Sequence, residues 1–315
     1  MTTAEDRKLL RQTVAALVAK QAGPDAVRRA MESDLGYDQT LWATLCEQVG
    51  AAALIVPEEF GGAGGELADA AAALEELGRG LVPTPLLATT LAEAGLLAAD
   101  APDADTLEQL AAGSQIGTVV FDRNFVVNGD VADVILAVDE GRVVRWTDVA
   151  VDPLTPLDPT RRLARLTPGG TSDIGPDPGL ADIAAVLLAA EQIGAASRCL
   201  ELTVEYTKQR VQFGRPIGSF QALKHRMADL YVAVQSAKAV VGEAVSALTP
   251  VSAARARLAA SEAFCTVAGE AIQLHGGIAI TWEHDIQLYF KRAHTSAQLL
   301  GPPREQLRRL ESEVL

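Results

Sequence analysis

Residues 180 to 209 read as one uninterrupted helix of roughly 30 residues, about 45 Å long at 1.5 Å per residue. Helices of that length are unusual in globular proteins, and such a helix needs neighbours of matching length to cover its apolar positions. The same region supplies them. Apolar periodicity predicts further helices near 219–248 and 250–274, a Gly-Gly break at 276 and 277, and a helix from about Glu283 to Gln298. The pattern predicts a C-terminal bundle of long antiparallel helices. Between the first two lies the turn "FGRPIG". Pro216 cannot continue a helix, Gly214 and Gly218 supply torsional freedom, and Ser219 is placed to cap the next helix.

The rest of the chain has two other textures. Residues 1–115 are rich in Ala and Leu, with helical periodicity near 5–20, 24–33, 38–49, 66–79 and 87–98, and one glycine-rich loop, "VPEEFGGAGG". From residue 116 the short β-branched runs "IGTVVF", "FVVN", "DVILAVD" and "RVVRWT" predict about four strands. Pro153, Pro156 and Pro159 then read as an extended connection, and "TPGGTSDIGPDPG" as a flexible one. The expected organisation is a helical domain over 1–115, a small β domain with its linker over 116–170, and a helical bundle over 171–315. The fold class is mostly α with a small β domain.

Composition excludes several functions. With 41 acidic and 27 basic residues the formal net charge is −14, which disfavours general binding to nucleic acid or to an anionic membrane surface. Charges run through the first 20 residues, and no stretch of about 18 apolar residues is free of charge, so cytoplasmic residence without a membrane span is expected. Cys46, Cys199 and Cys265 are isolated from one another and from any His partner, and read as buried reduced thiols.

No Walker loop, GxGxxG after a strand, GxSxG elbow, HExxH or clustered set of metal ligands is present. His225 reads as a packed or hydrogen-bonded helix residue, and His275 stands next to two glycines where a ligand could approach. Two glycine-containing breaks, "RVQFGRPIG" and "QLHGGIAI", each end a long helix. Brought to one end of a bundle, they would gather Arg210, Gln212, Gln273 and free backbone amides, a set suited to a diphosphate. Spacing alone favours the plainer reading, in which both breaks are connectors and Arg210 is a solvated charge.

Longer stretches carry a resemblance. "LWATLCEQVGAAALIVPEEFGGAGG" with "ALEELGRGLVPTPL", and "LTVEYTKQRVQFGRPIGSFQALKHRMADL" with "AIQLHGGIAITWEHDIQLYFKRA", resemble the N- and C-terminal segments of the acyl-CoA dehydrogenase flavoproteins. The resemblance implies a helical N-terminal domain, a middle β domain and a C-terminal four-helix bundle, with FAD spanning a subunit interface. It implies that Arg210, Gln212, Phe213 and Gln221 of the first C-terminal signature, and Gln273, Gly276 and Gly277 of the second, hold the ADP half of an FAD seated in a neighbouring subunit.

It also exposes what is missing. Family chemistry needs a carboxylate to remove the α-proton of an acyl thioester. The usual position near the C-terminus falls on Leu300, followed by Gly301, and the alternative, 26 residues before Arg210, falls on Ala184. Asp182 and Glu191 are the fallback candidates on the same helix. The β region is about half the family's size and lacks the segments that line the flavin ring; Trp146 reads as a sheet-packing residue instead. These departures imply the shortened, non-catalytic subunit of an actinobacterial heteromeric enzyme, α2β2, acting on a steroid side-chain or other bulky acyl-CoA. A full-length acyl-CoA dehydrogenase partner would bind most of the acyl-CoA, and an electron-transferring flavoprotein would be the acceptor. The alternatives are a homomeric enzyme with a relocated base and a redox-inactive scaffold of the same fold.

Overall fold

A computed structural model describes residues 3–314. The N-terminal helices are α1 (Ala4–Gln21), α2 (Pro24–Glu32), α3 (Gln39–Thr44), α4 (Leu67–Arg79), α5 (Leu86–Leu97) and α6 (Ala104–Ala111). The strands β1 (Gly117–Val120), β2 (Val126–Val127), β3 (Val134–Asp139), β4 (Arg142–Thr147), β5 (Ala150–Leu154), β6 (Leu163–Thr167) and β7 (Gly170–Pro176) come next. The remainder is α7 (Leu180–Gln209), a small hairpin β8 (Val211–Gln212) and β9 (Arg215–Pro216), then α8 (Gln221–Ser246), α9 (Pro250–His275), α10 (Ile286–Gln298) and α11 (Pro303–Val314).

The chain is mostly helical with a small β region, as expected, and the β region is richer than its sequence suggests. Strands β1, β3, β4 and β7 form one sheet in the order β1-β3-β4-β7; β2, β6 and β5 form another in the order β2-β6-β5. The proline-marked connection is therefore partly β5, and the stretch expected to be flexible is β7, paired with β4 from Thr147↔Gly170 to Arg142↔Pro176. Strand β7 crosses the expected boundary at residue 170, so the β region ends at Pro176 and the bundle begins at Leu180. Both strands are sheet edges, where Pro153 and the sparse β-formers of "GTSDIGP" are tolerated because the inner partner supplies the ladder. Trp146 does pack on the sheets, beside Val120, Ile135 and Leu166.

Helix α7 is the axis of the molecule. Its length and apolarity would suffice to cross a membrane, as would those of α9 with its 3-10 extension, but 78% of the apolar window of α7 is buried inside this fold. It packs on α4, α8, α9 and α5. The crossing with α4 is so close that a Cβ on Gly194 would lie 1.8 Å from the Glu75 carbonyl oxygen, and one on Gly78 would lie 2.2 Å from that of Glu191. Glycine at those two positions lets the backbones touch. Ion pairs then tie the N-terminal domain to the bundle: Lys238 reaches Glu75 at 2.6 Å, a carboxylate that Arg11 of α1 also holds at 2.5 Å, Arg79 reaches Glu201 at 2.8 Å, and Arg28 reaches Asp285 at 2.7 Å.

Helix α9 opens on a capping box of Thr249 and Ser252 with Pro250 in its first turn. Helix α8 has no comparable cap: it begins at Gln221, its preceding residue is Phe220, and the Ser219 hydroxyl donates back to the Pro216 carbonyl at 2.6 Å instead of capping the helix. His225 is exposed on α8, neither packed nor, among the described residues, hydrogen-bonded.

Candidate functional site

The first glycine break is a tight hairpin. Val211 pairs with Pro216 and Gln212 with Arg215, leaving Phe213 (φ 53°) and Gly214 (φ 76°) as the two central residues. Two successive positive φ values define a type I′ turn, natural for glycine and costly for phenylalanine. The Phe213 ring is nevertheless 92% exposed, meeting the ring of Phe220 edge to face at 6.2 Å. A strained backbone holding an aromatic out in solvent needs a reason outside this chain.

The second break begins where α9 ends. Gly276 has φ 67° and ψ −147°, a region that only glycine occupies readily. Gly277 has no such requirement, and nothing lies within 4 Å of where its Cβ would be; the same open space surrounds Gly276. The two breaks meet at one end of the bundle. Tyr206, in the last turn of α7, stacks on His275, the last residue of α9, with ring centroids 4.2 Å apart, and its hydroxyl donates to the His275 carbonyl at 3.2 Å.

Around this end the side chains named from the sequence are exposed and idle. Arg210, Gln221 and Gln273 make no side-chain hydrogen bond or ion pair among the described residues, and the Gln212 amide reaches only the carbonyl of Val211. An unpaired guanidinium, three primary amides and a glycine cradle open to solvent fit the diphosphate and adenosine of FAD. Apolar surface flanks them, with Ile280 75% and Trp282 68% exposed.

A second feature lies between the β region and the end of the bundle. A cleft of about 1520 Å³ is walled by Phe121, Phe125, Leu157 and Leu163 on one side and by His294, Leu300, Gly301 and Arg309 on the other. Leu300, the expected position of the base, is thus in the wall of a large cleft, in a left-handed conformation (φ 55°) followed by Gly301 (φ 100°). The turn is held by Arg257, whose buried guanidinium donates to Gln192 Oε1 at 2.7 Å and to the carbonyls of Ser296 and Leu299, the latter at 2.8 Å. Burial pushes the Arg257 pKa down to about 10, leaving it a cation at neutral pH. Ala184, the alternative base position, is wholly buried away from the cleft.

Neither fallback carboxylate is free. Glu191 lies in a cluster with Arg161, Arg292, Asp158 and Thr160, all buried. Arg161 donates to Glu191 Oε1 at 2.7 Å, Arg292 pairs with the same oxygen, and Arg292 also meets Asp158 at 2.7 Å and the Thr160 carbonyl at 2.9 Å. Burial raises the Glu191 pKa, but the two guanidiniums outweigh it and hold the carboxyl below the ordinary glutamate range. Such a group is a poor proton acceptor. The cluster instead docks the β5–β6 loop onto α7 and α10. Asp182 is paired with Arg309 of α11.

Sequence alone does not disclose this cluster, whose trace is "DPTRR". Nor does it disclose two carboxylates on the cleft wall. Asp122 accepts from the backbone and side-chain nitrogens of Asn124, at 2.9 and 3.0 Å, in a local turn, while Glu305 is exposed on the first turn of α11. Cys46 and Cys199 are buried free thiols, as expected, whereas Cys265 is only half-buried; burial pushes Cys46 up to about 12 and raises Cys199 and Cys265.

Comparisons with known proteins agree over the whole length. Residues 4–113 match the acyl-CoA dehydrogenase N-terminal domain and residues 181–314 the acyl-CoA dehydrogenase C-terminal domain. The chain is 68% identical over 314 residues to the acyl-CoA dehydrogenase IpdE2 of Mycobacterium tuberculosis, covering 100% of this chain and 99% of that one. Among solved structures it is similar to a variant of the Tcur3481–Tcur3483 steroid ACAD, with TM-score 0.92, 26% identity and 98% of each chain covered. It is also similar to a chain of the ChsE4–ChsE5 complex of Mycobacterium tuberculosis, with TM-score 0.90, 26% identity and coverage of 99% and 98%.

Proposed function

The chain belongs to the acyl-CoA dehydrogenase family, and from that premise we propose that it is the non-catalytic subunit of a heteromeric, FAD-dependent acyl-CoA dehydrogenase, completing the ADP half of a cofactor site seated in a full-length partner. The observation that carries this reading is the mismatch between its two ends. The residues proposed to face the nucleotide are present and exposed, with the side chains of Arg210, Gln221 and Gln273 unpartnered among the described residues, while the cleft where a base is needed presents Leu300, and both fallback carboxylates are ion-paired to arginines.

In the mixed complex, FAD supplies the acceptor for the hydride removed during α,β-desaturation. Arg210 and the backbone of Gly276 and Gly277 neutralise and hydrogen-bond the diphosphate, Gln212, Gln221 and Gln273 bond its polar flanks, and Phe213 packs on the nucleotide. The partner provides the carboxylate, the surface around the flavin ring and most of the acyl-CoA site. Surface features of the bundle support a permanent partner: Gly242 and Gly269 are inside helices with nothing within 4 Å of a Cβ, so this fold by itself gives no reason for glycine there. A two-component assembly of type α2β2 accords with the ChsE4–ChsE5 complex and the Tcur3481–Tcur3483 steroid ACAD, and the latter supports a bulky steroid acyl-CoA as substrate. An electron-transferring flavoprotein is the acceptor in this scheme, and the work is done in the cytoplasm.

Replacing Arg210 with Ala tests the nucleotide role. Loss of one charge-assisted contact of about 1.5–3 kcal/mol predicts FAD bound roughly 10- to 150-fold more weakly by the mixed complex, measured by flavin release on dilution. A redox-inactive scaffold would assemble and behave unchanged.

One observation favours a second reading. Glu305 stands exposed on the cleft wall and could serve a homomeric enzyme as a relocated base more readily than Glu191 or Asp182.

A further inference from the structure

The two glycine breaks are joined by three rings. Beyond the Tyr206–His275 stack, the ring of His284 meets His275 edge to face at 4.8 Å and Tyr206 at 6.3 Å. Hydrogen bonds fix the protonation of both imidazoles. His275 Nδ1 lies 2.8 Å from the Ala271 carbonyl, which can only accept, so that nitrogen carries the proton. His284 Nδ1 accepts from the Ile286 N–H at 3.2 Å, at the start of α10, so that nitrogen carries none. The Tyr206 hydroxyl meanwhile satisfies the His275 carbonyl, one of the orphan acceptors at the C-terminal end of α9.

We propose that Tyr206, His275 and His284 form an acid-sensitive positioning element, which holds the Gly276–Gly277 backbone beside the Arg210 turn at neutral pH and releases it when the imidazoles are protonated. The proposal rests on the reading that these two turns hold the ADP half of FAD, and it adds a regulation of that site. Protonating His284 at Nδ1 abolishes the acceptor for the Ile286 N–H in the first turn of α10, and protonating both rings places two cations 4.8 Å apart. Of the charged groups facing the stack, Asp285 favours the His284 cation, Arg28 of α2, paired with Asp285 at 2.7 Å, opposes it less strongly, and His284 opposes protonation of His275. Burial disfavours the charged form of both rings, so each titrates below the ordinary histidine value. A histidine whose folded value is depressed in this way stabilises the ordered turn above pH 6.5, the unfolded value, and that contribution is lost as pH falls below it.

The test uses the mixed holo-complex and measures FAD retention by flavin release between pH 5 and 8, with the molar mass recorded at each pH. The wild type is expected to hold FAD about tenfold more weakly at pH 5.5 than at pH 7.5, one decade corresponding to about 1.4 kcal/mol. His284→Asn keeps an acceptor two residues before Ile286 but has no ring to titrate, and is expected to flatten that profile. Tyr206→Leu, which loses both ring and hydroxyl, is expected to weaken FAD about tenfold at every pH, and Tyr206→Phe, which keeps the stack, by less. An unchanged acid response in His284→Asn, or wild-type retention in Tyr206→Leu, overturns the proposal. Arg210→Ala run alongside separates the two levels. If it weakens FAD while the ring variants do not, only the positioning role fails; if it has no effect, the nucleotide reading fails and takes this proposal with it.

Discussion

Replacing Glu191 with glutamine is expected to cost the fold about 3–5 kcal/mol while leaving the turnover of any complex that still assembles unchanged. The carboxylate sits between two buried guanidiniums, Arg161 and Arg292, and neutralising it leaves both with only Asp158 as a counter-charge. Unpaired buried charge is the expensive outcome, far more so than the modest net worth of the intact cluster. The measurement is chemical denaturation of the assembled complex together with its acyl-CoA turnover. If Glu191 were a relocated base, the pattern would invert, with near-normal stability and an activity lost by orders of magnitude.

Replacing Glu93 with leucine is expected to do the opposite, raising stability by about 1–3 kcal/mol at pH 8. Glu93 lies on α5 with no solvent exposure, and among the described residues neither carboxylate oxygen has a hydrogen-bond partner. Burial raises its pKa well above the ordinary 4.5. The native state therefore keeps the proton after the unfolded chain has released it, and stability falls as pH rises from 4.5 toward the native value. Leucine fills similar space without that penalty, so the gain should be larger at pH 8 than at pH 5. Melting curves at the two pH values check this; an equal or negative shift at pH 8 would show that the carboxyl has a role that its surroundings do not reveal.

The helical parts of the fold were legible because their signals are local. The bounds of α7, α8 and α9 follow from apolar periodicity, the "FGRPIG" turn and the Thr249-Pro250 start. The edge strands were not. "GTSDIGP" has almost no intrinsic strand preference and becomes β7 only because β4 offers it a ladder, a contact made across more than twenty residues of sequence. Helix α11 was likewise unmarked. The residues proposed to meet the nucleotide come from the resemblance, yet the reason their two turns meet, the Tyr206–His275 stack, joins residues 69 apart in sequence. The same holds for the Glu191 cluster, whose members come from the β5–β6 loop, α7 and α10. Sequence could mark Glu191 as a charge on a long helix; only packing shows that two arginines claim it.

Whether this chain completes a partner's flavin site is decided by its visible spectrum and molar mass, recorded for the chain purified alone and again after co-expression with a full-length acyl-CoA dehydrogenase encoded beside it. A non-catalytic companion is expected to be colourless alone and to be converted by the partner into a yellow α2β2 assembly with one FAD per pair of unlike subunits. A homomer carrying one FAD per chain, bleached by an acyl-CoA, would refute that role and make Glu305 the first base to replace.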